Sequence, residues 1–229
     1  SYNNYNDIFA ALTISKSLPK NKGTVIVKHS NPCGVSSKSD HLHSYKSAFA
    51  CDPTSAFGGI VSCNFKITQN LALELNKLFL EVIIANGFDD KALKILKTKK
   101  NIRLIDGTNY KNKEILNFLS FNQEILIQSE DSKIFKKENF KIVSKRKPTS
   151  KQLKDLIFAL NVCRYVKSNA IVLASDQSTV GIGSGQPSRL DSCKIAIDKM
   201  KKFNLSKKNL VAASDAFFPF VDGIEKLVQ

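Results

Sequence analysis

The stretch Thr24-Val25-Ile26-Val27-Lys28-His29-Ser30-Asn31-Pro32-Cys33-Gly34 sets the reading of the whole chain. Thr24 to Val27 form a short buried strand, rich in β-branched residues. The strand delivers a lysine and a histidine side by side, then breaks on Asn31-Pro32 and Gly34. Neighbours on a regular strand point to opposite faces, so Lys28 and His29 serve one pocket only if the strand stops there. Catalytic groups of α/β proteins sit at such strand ends, on the loops that leave the sheet. An imidazole can take a proton near neutral pH, and an ammonium can stabilise developing negative charge. A structurally satisfied histidine at a strand end gives the same pattern. Cys33 as a nucleophile is the weaker reading, because free cysteines are usually just buried.

Working outward, helices alternate with short apolar strands. Asp7 to Leu18 is predicted helical, with Ile8, Ala11, Leu12 and Ile14 in a stripe, and His43 to Ala50 is a second helix. Gly59 to Cys63 and Glu81 to Ala85 read as strands. Thr68 caps a helix reaching Phe79, and Asp89-Asp90 opens another with its carboxylates at the positive end of the dipole. From Asn101 to Val143 the pattern changes to strand-like pieces, Ile102 to Ile105, Glu124 to Gln128 and Phe140 to Val143. Lys145-Arg146-Lys147-Pro148 is a junction. Thr149-Ser150-Lys151-Gln152 is a capping box that starts a helix to Val166. Asn169 to Ala174 is a strand, Leu190, Cys193, Ile197 and Met200 line a helix, and Leu210 to Ala213 is a strand. Gly223 to Gln229 begins a last helix. No internal repeat is visible. The pattern predicts a layered α/β architecture in two lobes, 1–145 and 146–229.

Composition bounds the function. The chain has 229 residues, 42% apolar and 24% charged, enough apolar mass to exclude disorder as the main state. Its apolar runs fall short of the roughly 20 residues a membrane span needs. Five cysteines, odd in number and without a C-x-x-C pair, argue against both a disulfide framework and a structural zinc site. A reducing, cytoplasmic setting is expected. The net charge of +15 admits three readings: a solvated lysine surface, an anionic small-molecule substrate, or nucleic acid. The lysines are not interleaved with aromatics as a stacking groove requires.

Three further segments have the character of site loops. Asp52-Pro53-Thr54-Ser55-Ala56-Phe57-Gly58-Gly59-Ile60 places paired glycines before a strand, for close approach of a ligand or merely for a turn. Ser168-Asn169-Ala170 precedes a strand, and Gly181-x-Gly183-x-Gly185 leads to Arg189. That glycine pattern fits an anion-binding loop opening a helix, or a tight hairpin. Ser214 to Gly223 follows a strand with Phe217, Phe218 and Phe220, which can stack on a flat heterocycle or belong to a core or an interface.

Together these segments resemble, in content and order, the transformylase part of a bifunctional purine-biosynthesis family, phosphoribosylaminoimidazolecarboxamide formyltransferase joined to IMP cyclohydrolase. The matching stretches are Ser1-Tyr2-Asn3-Asn4, Lys28 to Gly34, Asp52 to Ile60, Glu81 to Ala85, Lys167 to Ala170, Gly181 to Arg189 and Ser214 to Phe220. The resemblance implies two α/β lobes similar to cytidine deaminase without its zinc. The deaminase signature H-x-E with P-C-x-x-C is indeed absent, and no metal is expected in the chemistry. The implied reaction moves a formyl group from 10-formyltetrahydrofolate to the 5-amino group of 5-aminoimidazole-4-carboxamide ribonucleotide. By resemblance, His29 is the general base and Lys28 stabilises the oxyanion. Asn169 orients His29 or meets the formyl oxygen. Gly58 and Glu81 line the nucleotide pocket, Phe217 packs on its base, and Arg189 and Asp222 contact the folate. The implied partners are small anionic nucleotide and folate molecules and a second copy in a homodimer, with neither nucleic acid nor membrane. The chain departs from the family in lacking an Arg-Tyr-Gly…Asn-Pro-His-Gln segment at its start and a glycine-rich stretch with a terminal arginine at its end. The cyclohydrolase domain is absent too, so the resemblance implies a fragment with an incomplete second lobe. The alternative is a non-catalytic fragment, or an anion- or RNA-binding module on the same scaffold.

Overall fold

The computed structural model describes residues 1–110, 116–131, 133–206 and 208–228. The stretch from Thr24 to Gly34 becomes a hairpin. Helix α1 (Tyr2–Ser17) leads into β1 (Gly23–Lys28), which turns at His29-Ser30 and returns as β2 (Asn31–Ser37). Then follow α2 (His41–Cys51), α3 (Pro53–Ala56), β3 (Gly59–Cys63), α4 (Gln69–Leu75), β4 (Leu80–Ala85), α5 (Asp90–Leu96) and β5 (Arg103–Asp106). A separate hairpin, β6 (Leu116–Phe121) and β7 (Glu124–Ser129), precedes α6 (Ser150–Cys163), β8 (Ile171–Ser175), β9 (Ser178–Gly183), α7 (Arg189–Asn204), β10 (Val211–Ser214) and α8 (Asp222–Val228). Gln229, the predicted end of the last helix, lies outside the described residues.

The Asn-Pro break reads as a loop in sequence, yet β2 pairs antiparallel with β1 along its whole length, with a register shift at Ile26/Val27. Helix α1 starts at Tyr2 rather than Asp7, because the Ser1 hydroxyl accepts from the Asn4 amide and caps the Asn-rich first turn. Phe140 to Val143 forms no strand; it follows a 3₁₀ turn at Lys137–Asn139 and pairs with nothing described. The Thr149 capping box is present, with Gln152 N–H donating to the Thr149 hydroxyl and Thr149 N–H donating to the Gln152 carboxamide.

Eight strands make one mixed sheet in the order β10-β8-β9-β2-β1-β3-β4-β5. Strand alternation sends Val25 and Val27 to one face and Ile26 to the other. Helices α1 and α6 cover the first face in one core that includes Ala11, Leu12, Ile14, Phe158, Ala159 and Val162. On the second face, Tyr45 and Ala48 of α2 and Leu71, Leu75 and Leu96 of α4 and α5 cover Ile26 and Val61. Cys193, Ala196 and Ile197 of α7 cover Ile171, Leu173 and Val180. Each fully buried side chain of this size contributes about 1.5–3 kcal/mol.

The topology repeats where the sequence shows no repeat. Elements α1-β1-β2-α2-β3 and α6-β8-β9-α7-β10 run the same course, and β2 and β9 meet in the middle of the sheet. The match extends to atoms. A Cβ on Gly34, fourth in β2, would lie 1.9 Å from the carbonyl oxygen of Ala48, eighth in α2. A Cβ on Gly181, fourth in β9, would lie 2.1 Å from that of Ala196, eighth in α7. Both helices press onto their strands at a glycine. Gly181 and Gly183 therefore belong to a strand under a helix, neither to an anion-binding loop nor to a hairpin turn. The β6–β7 hairpin stands apart, with large apolar side chains exposed on both faces: Phe118 and Ile127 on one, Leu119 and Leu126 on the other.

Candidate active site at one end of the sheet

The strand directions gather the sequence-predicted residues at one end of the sheet. Strand β1 ends there at Lys28, where its antiparallel neighbours β2 and β3 begin. Parallel β4 and β5 also begin there, at Leu80 and Arg103, with Glu81 second in β4. Strand β9 runs antiparallel to β2 and β8, so β9 ends, β8 begins and β10 ends at the same side. Lys28, His29, Gly58, Glu81 and Asn169 thus lie at or next to strand termini of one end of the sheet, and Arg189, Phe217 and Asp222 lie on the segments that follow β9 and β10 there.

One corner is built on the β1–β2 turn. His29 and Ser30 both have positive φ, 53° and 59°, as a two-residue type I′ hairpin requires. Asn-Gly is the usual sequence for that turn; for other residues the left-handed conformation costs roughly 1–2 kcal/mol each. Asp7 of α1 offsets the cost. The His29 N–H donates to Asp7 Oδ2 at 3.0 Å, and the Ser30 N–H to Oδ1 at 2.6 Å. The exposed His29 ring makes no hydrogen bond to any described residue. Lys28 Nζ donates to the Phe57 carbonyl at 2.6 Å. Gly58 follows with φ of 71°, and a Cβ there would lie 3.8 Å from Lys28 Nζ. Asp52, 3% exposed, braces this turn: it accepts from Ser55 N–H and hydroxyl and pairs with Lys199 Nζ at 2.7 Å. Burial pushes the Asp52 carboxyl up, but the hydrogen bonds from Lys199 and Ser55 outweigh it and hold it below the ordinary range. Glu81 accepts from Asn4 Nδ2 at 3.3 Å and lies 3.5 Å from Arg103, and no described hydrogen bond joins it to Lys28 or His29.

The other corner is a closed network. Asn169 Nδ2 donates to the carbonyls of Gln186 and Pro187, both at 2.9 Å, and its Oδ1 accepts from Arg189 at 2.6 Å. Arg189 also donates to the Ser214 hydroxyl and pairs with Asp215. Asp215 accepts from Ser168 Oγ at 2.5 Å and from the Ala170 N–H at 3.1 Å. Burial pushes the Asp215 carboxyl up, yet those hydrogen bonds and the Arg189 charge bring it below the ordinary range. Asn169, Arg189, Phe217, Phe218, Phe220 and Asp222 line one cleft of about 340 Å³. Phe217 is 80% exposed, and Asp222 opens α8 by accepting from the Gly223 N–H. The corners meet where the Lys167 N–H donates to Asn31 Oδ1 at 2.9 Å. No described hydrogen bond joins Asn169 to His29.

Sequence reasoning missed Asp215, although it lies within the Ser214 to Gly223 segment, and Asp7, which reads as a surface carboxylate of a helix. Burial, above all, pushes the Cys33 thiol up to about 12, which leaves it inert at neutral pH. Among the described residues, no cluster of three or more His, Cys, Asp or Glu could hold a metal ion, and no helix is long and apolar enough to cross a membrane.

The model of the AICARFT/IMPCHase bienzyme family matches residues 1–199. The chain belongs to that family. It is 42% identical over 229 residues to the bifunctional purine biosynthesis protein PurH of Aquifex aeolicus, covering all of this chain and 44% of that protein. To PurH of Buchnera aphidicola subsp. Schizaphis graminum it is 47% identical over 228 residues, covering 98% of this chain and 43% of the relative. PurH of Acetivibrio thermocellus is 42% identical over 228 residues. The chain thus spans less than half the length of these AICARFT/IMPCHase relatives.

Proposed function

We propose that this chain carries the formyl-transfer half of the bienzyme in purine (IMP) biosynthesis. It moves a formyl group from 10-formyltetrahydrofolate to the 5-amino group of 5-aminoimidazole-4-carboxamide ribonucleotide. The observation that carries the reading is the strand end at Lys28-His29: an ammonium, and an imidazole with no hydrogen bond to any described residue, on consecutive residues at the end of the sheet that also holds the phenylalanine-lined cleft. The naming of the relatives as bifunctional purine biosynthesis proteins supports it.

The acceptor amine is a poor nucleophile, because its lone pair is delocalised into the ring and the carboxamide. Its nitrogen attacks the formyl carbon as His29 takes the amine proton. The carbonyl electron pair moves to oxygen, where the Lys28 ammonium stabilises it. The C–N10 bond then breaks, and the proton passes to the departing tetrahydrofolate nitrogen. Asn169 spends both amide protons on the Gln186–Pro187 carbonyls, so its part is to hold that turn and leave Oδ1 for Arg189. Gly58 and Glu81 face the nucleotide, Phe217 stacks on its base, and Arg189 and Asp222 border the folate. The two lobes, 1–145 and 146–229, each take a cytidine deaminase-like form around one repeat unit. The working protein is a cytoplasmic homodimer.

The test is a formyl-transfer assay on the chain beside His29→Ala. The variant is expected to lose roughly 10²–10⁴-fold in rate while its fold and nucleotide affinity persist. Equal rates for the two proteins would remove His29 as the base.

A further inference from the structure

Each hairpin at the heart of the two repeat units turns through two residues with positive φ, neither of them glycine. In the first these are His29 and Ser30, and in the second Asp176 and Gln177, at 53° and 55°. Each turn is held by one aspartate on the helix that precedes its hairpin. Asp7 lies six residues after the α1 cap Ser1, and Asp155 six after the α6 cap Thr149. Asp155 accepts from the Asp176 N–H at 2.9 Å on Oδ2 and the Gln177 N–H at 2.8 Å on Oδ1. Asp7 accepts from the first and second turn residues through the same two oxygens in the same order. One carboxylate thus supplies both acceptors for two successive amides, and a turn whose own residues disfavour it is fixed from outside.

The two clamps differ in what they hold. Asp155 is buried at 1% exposure, takes a third bond from Gln177 Nε2, and serves the sheet end away from the proposed site. Asp7 is only partly buried, and its turn carries His29. We propose that Asp7 is a positioning residue for formyl transfer: it fixes the backbone of His29 in the left-handed turn and so sets where the imidazole meets the acceptor amine. This rests on the reading of His29 as the base.

The experiment compares His29→Ala, Asp7→Asn and Asp155→Asn in the full chain. An asparagine keeps the size but turns one acceptor oxygen into a donor facing an N–H. Asp7→Asn is expected to lower kcat roughly 10- to 100-fold with both KM values nearly unchanged, since misplacement of a catalytic group acts on the chemical step. In the same variant, NMR-detected hydrogen exchange of the His29 and Ser30 amides should speed up while the core amides keep their protection. Asp155→Asn is expected to lower Tm and leave kcat at the wild-type value. If His29→Ala transfers as fast as wild type, the reading of the base fails and the proposal with it. If His29→Ala is inactive but Asp7→Asn keeps its kcat, the proposal alone fails. Undisturbed exchange at His29 and Ser30 in Asp7→Asn overturns the clamp itself. An equal loss of kcat in Asp155→Asn shows general destabilisation and overturns positioning.

Discussion

The two corners of the candidate site follow opposite plans. Around Asn169, Arg189, Asp215 and Ser168, each polar side chain is bonded to another part of the same network. Around Lys28 and His29, the backbone is tightly held, by Asp7 and Asn31, while among the described residues the two side chains make a single hydrogen bond, from Lys28 to a carbonyl. Arg189 and Asp215 keep only 12% and 17% of their side-chain surface, whereas His29 is exposed. A group that has spent its hydrogen bonds on the scaffold is a wall. A group fixed through its backbone, with its polar atoms free, can act on a substrate. On the proposed function, chemistry falls to the first unit and shape to the second.

The largest effect that would sharpen this contrast is on rate at the Lys28 corner. Lys28→Gln removes the charge and keeps most of the stem, and transfer is expected to fall roughly 10²–10³-fold with nucleotide affinity and urea stability nearly unchanged. A drop in stability with no loss of rate would make Lys28 a wall as well. The middle effect is on stability at the other corner. Asp215→Asn removes the charge that accepts from Arg189, Ser168 and the Ala170 N–H, and urea unfolding is expected to show a loss of about 2 kcal/mol. A change under about 0.5 kcal/mol, the size typical of a surface site, would break the contrast. The smallest effect is the acid limb. The Asp215 carboxyl titrates below its ordinary value of 3.8 in the folded chain. Such a group stabilises the fold fully above the unfolded value and loses that contribution as pH falls through the folded one. Wild-type stability should therefore decline below about pH 4 more steeply than that of Asp215→Asn. Equal slopes would mean that the network does not favour the ionised form.

Much of this was legible in the residues. Strand β1 ended where its apolar run ended, the Thr149 box started α6, and the candidate site residues marked one end of the sheet because strand ends are where chain reversals expose polar groups. Strand β2 was not legible, because Asn31, Pro32 and Gly34 are turn formers; pairing with β1 overrode propensity. The repeat was invisible because it survives in single residues, an aspartate six after a cap and a glycine under a helix carbonyl, too sparse to register as self-similarity. Gly181 and Gly183 fit an anion-binding loop or a tight hairpin in sequence, because close approach of a helix, close approach of a ligand and a turn all select the same residue. Asp7 was missed because a carboxylate on a helix gives no hint of which neighbouring turn it caps.

The β6–β7 hairpin has a consequence for the chain as a colloid. Seven of its side chains, Leu116, Phe118, Leu119, Phe121, Ile125, Leu126 and Ile127, are each more than half exposed, on a ribbon two strands wide. The body that carries this apolar blade has a net charge of +15. Copies repel one another through a force that salt screens, and attract through one that salt leaves in place. Added electrolyte therefore shifts the balance toward attraction, and the isolated chain stays dispersed best in dilute buffer.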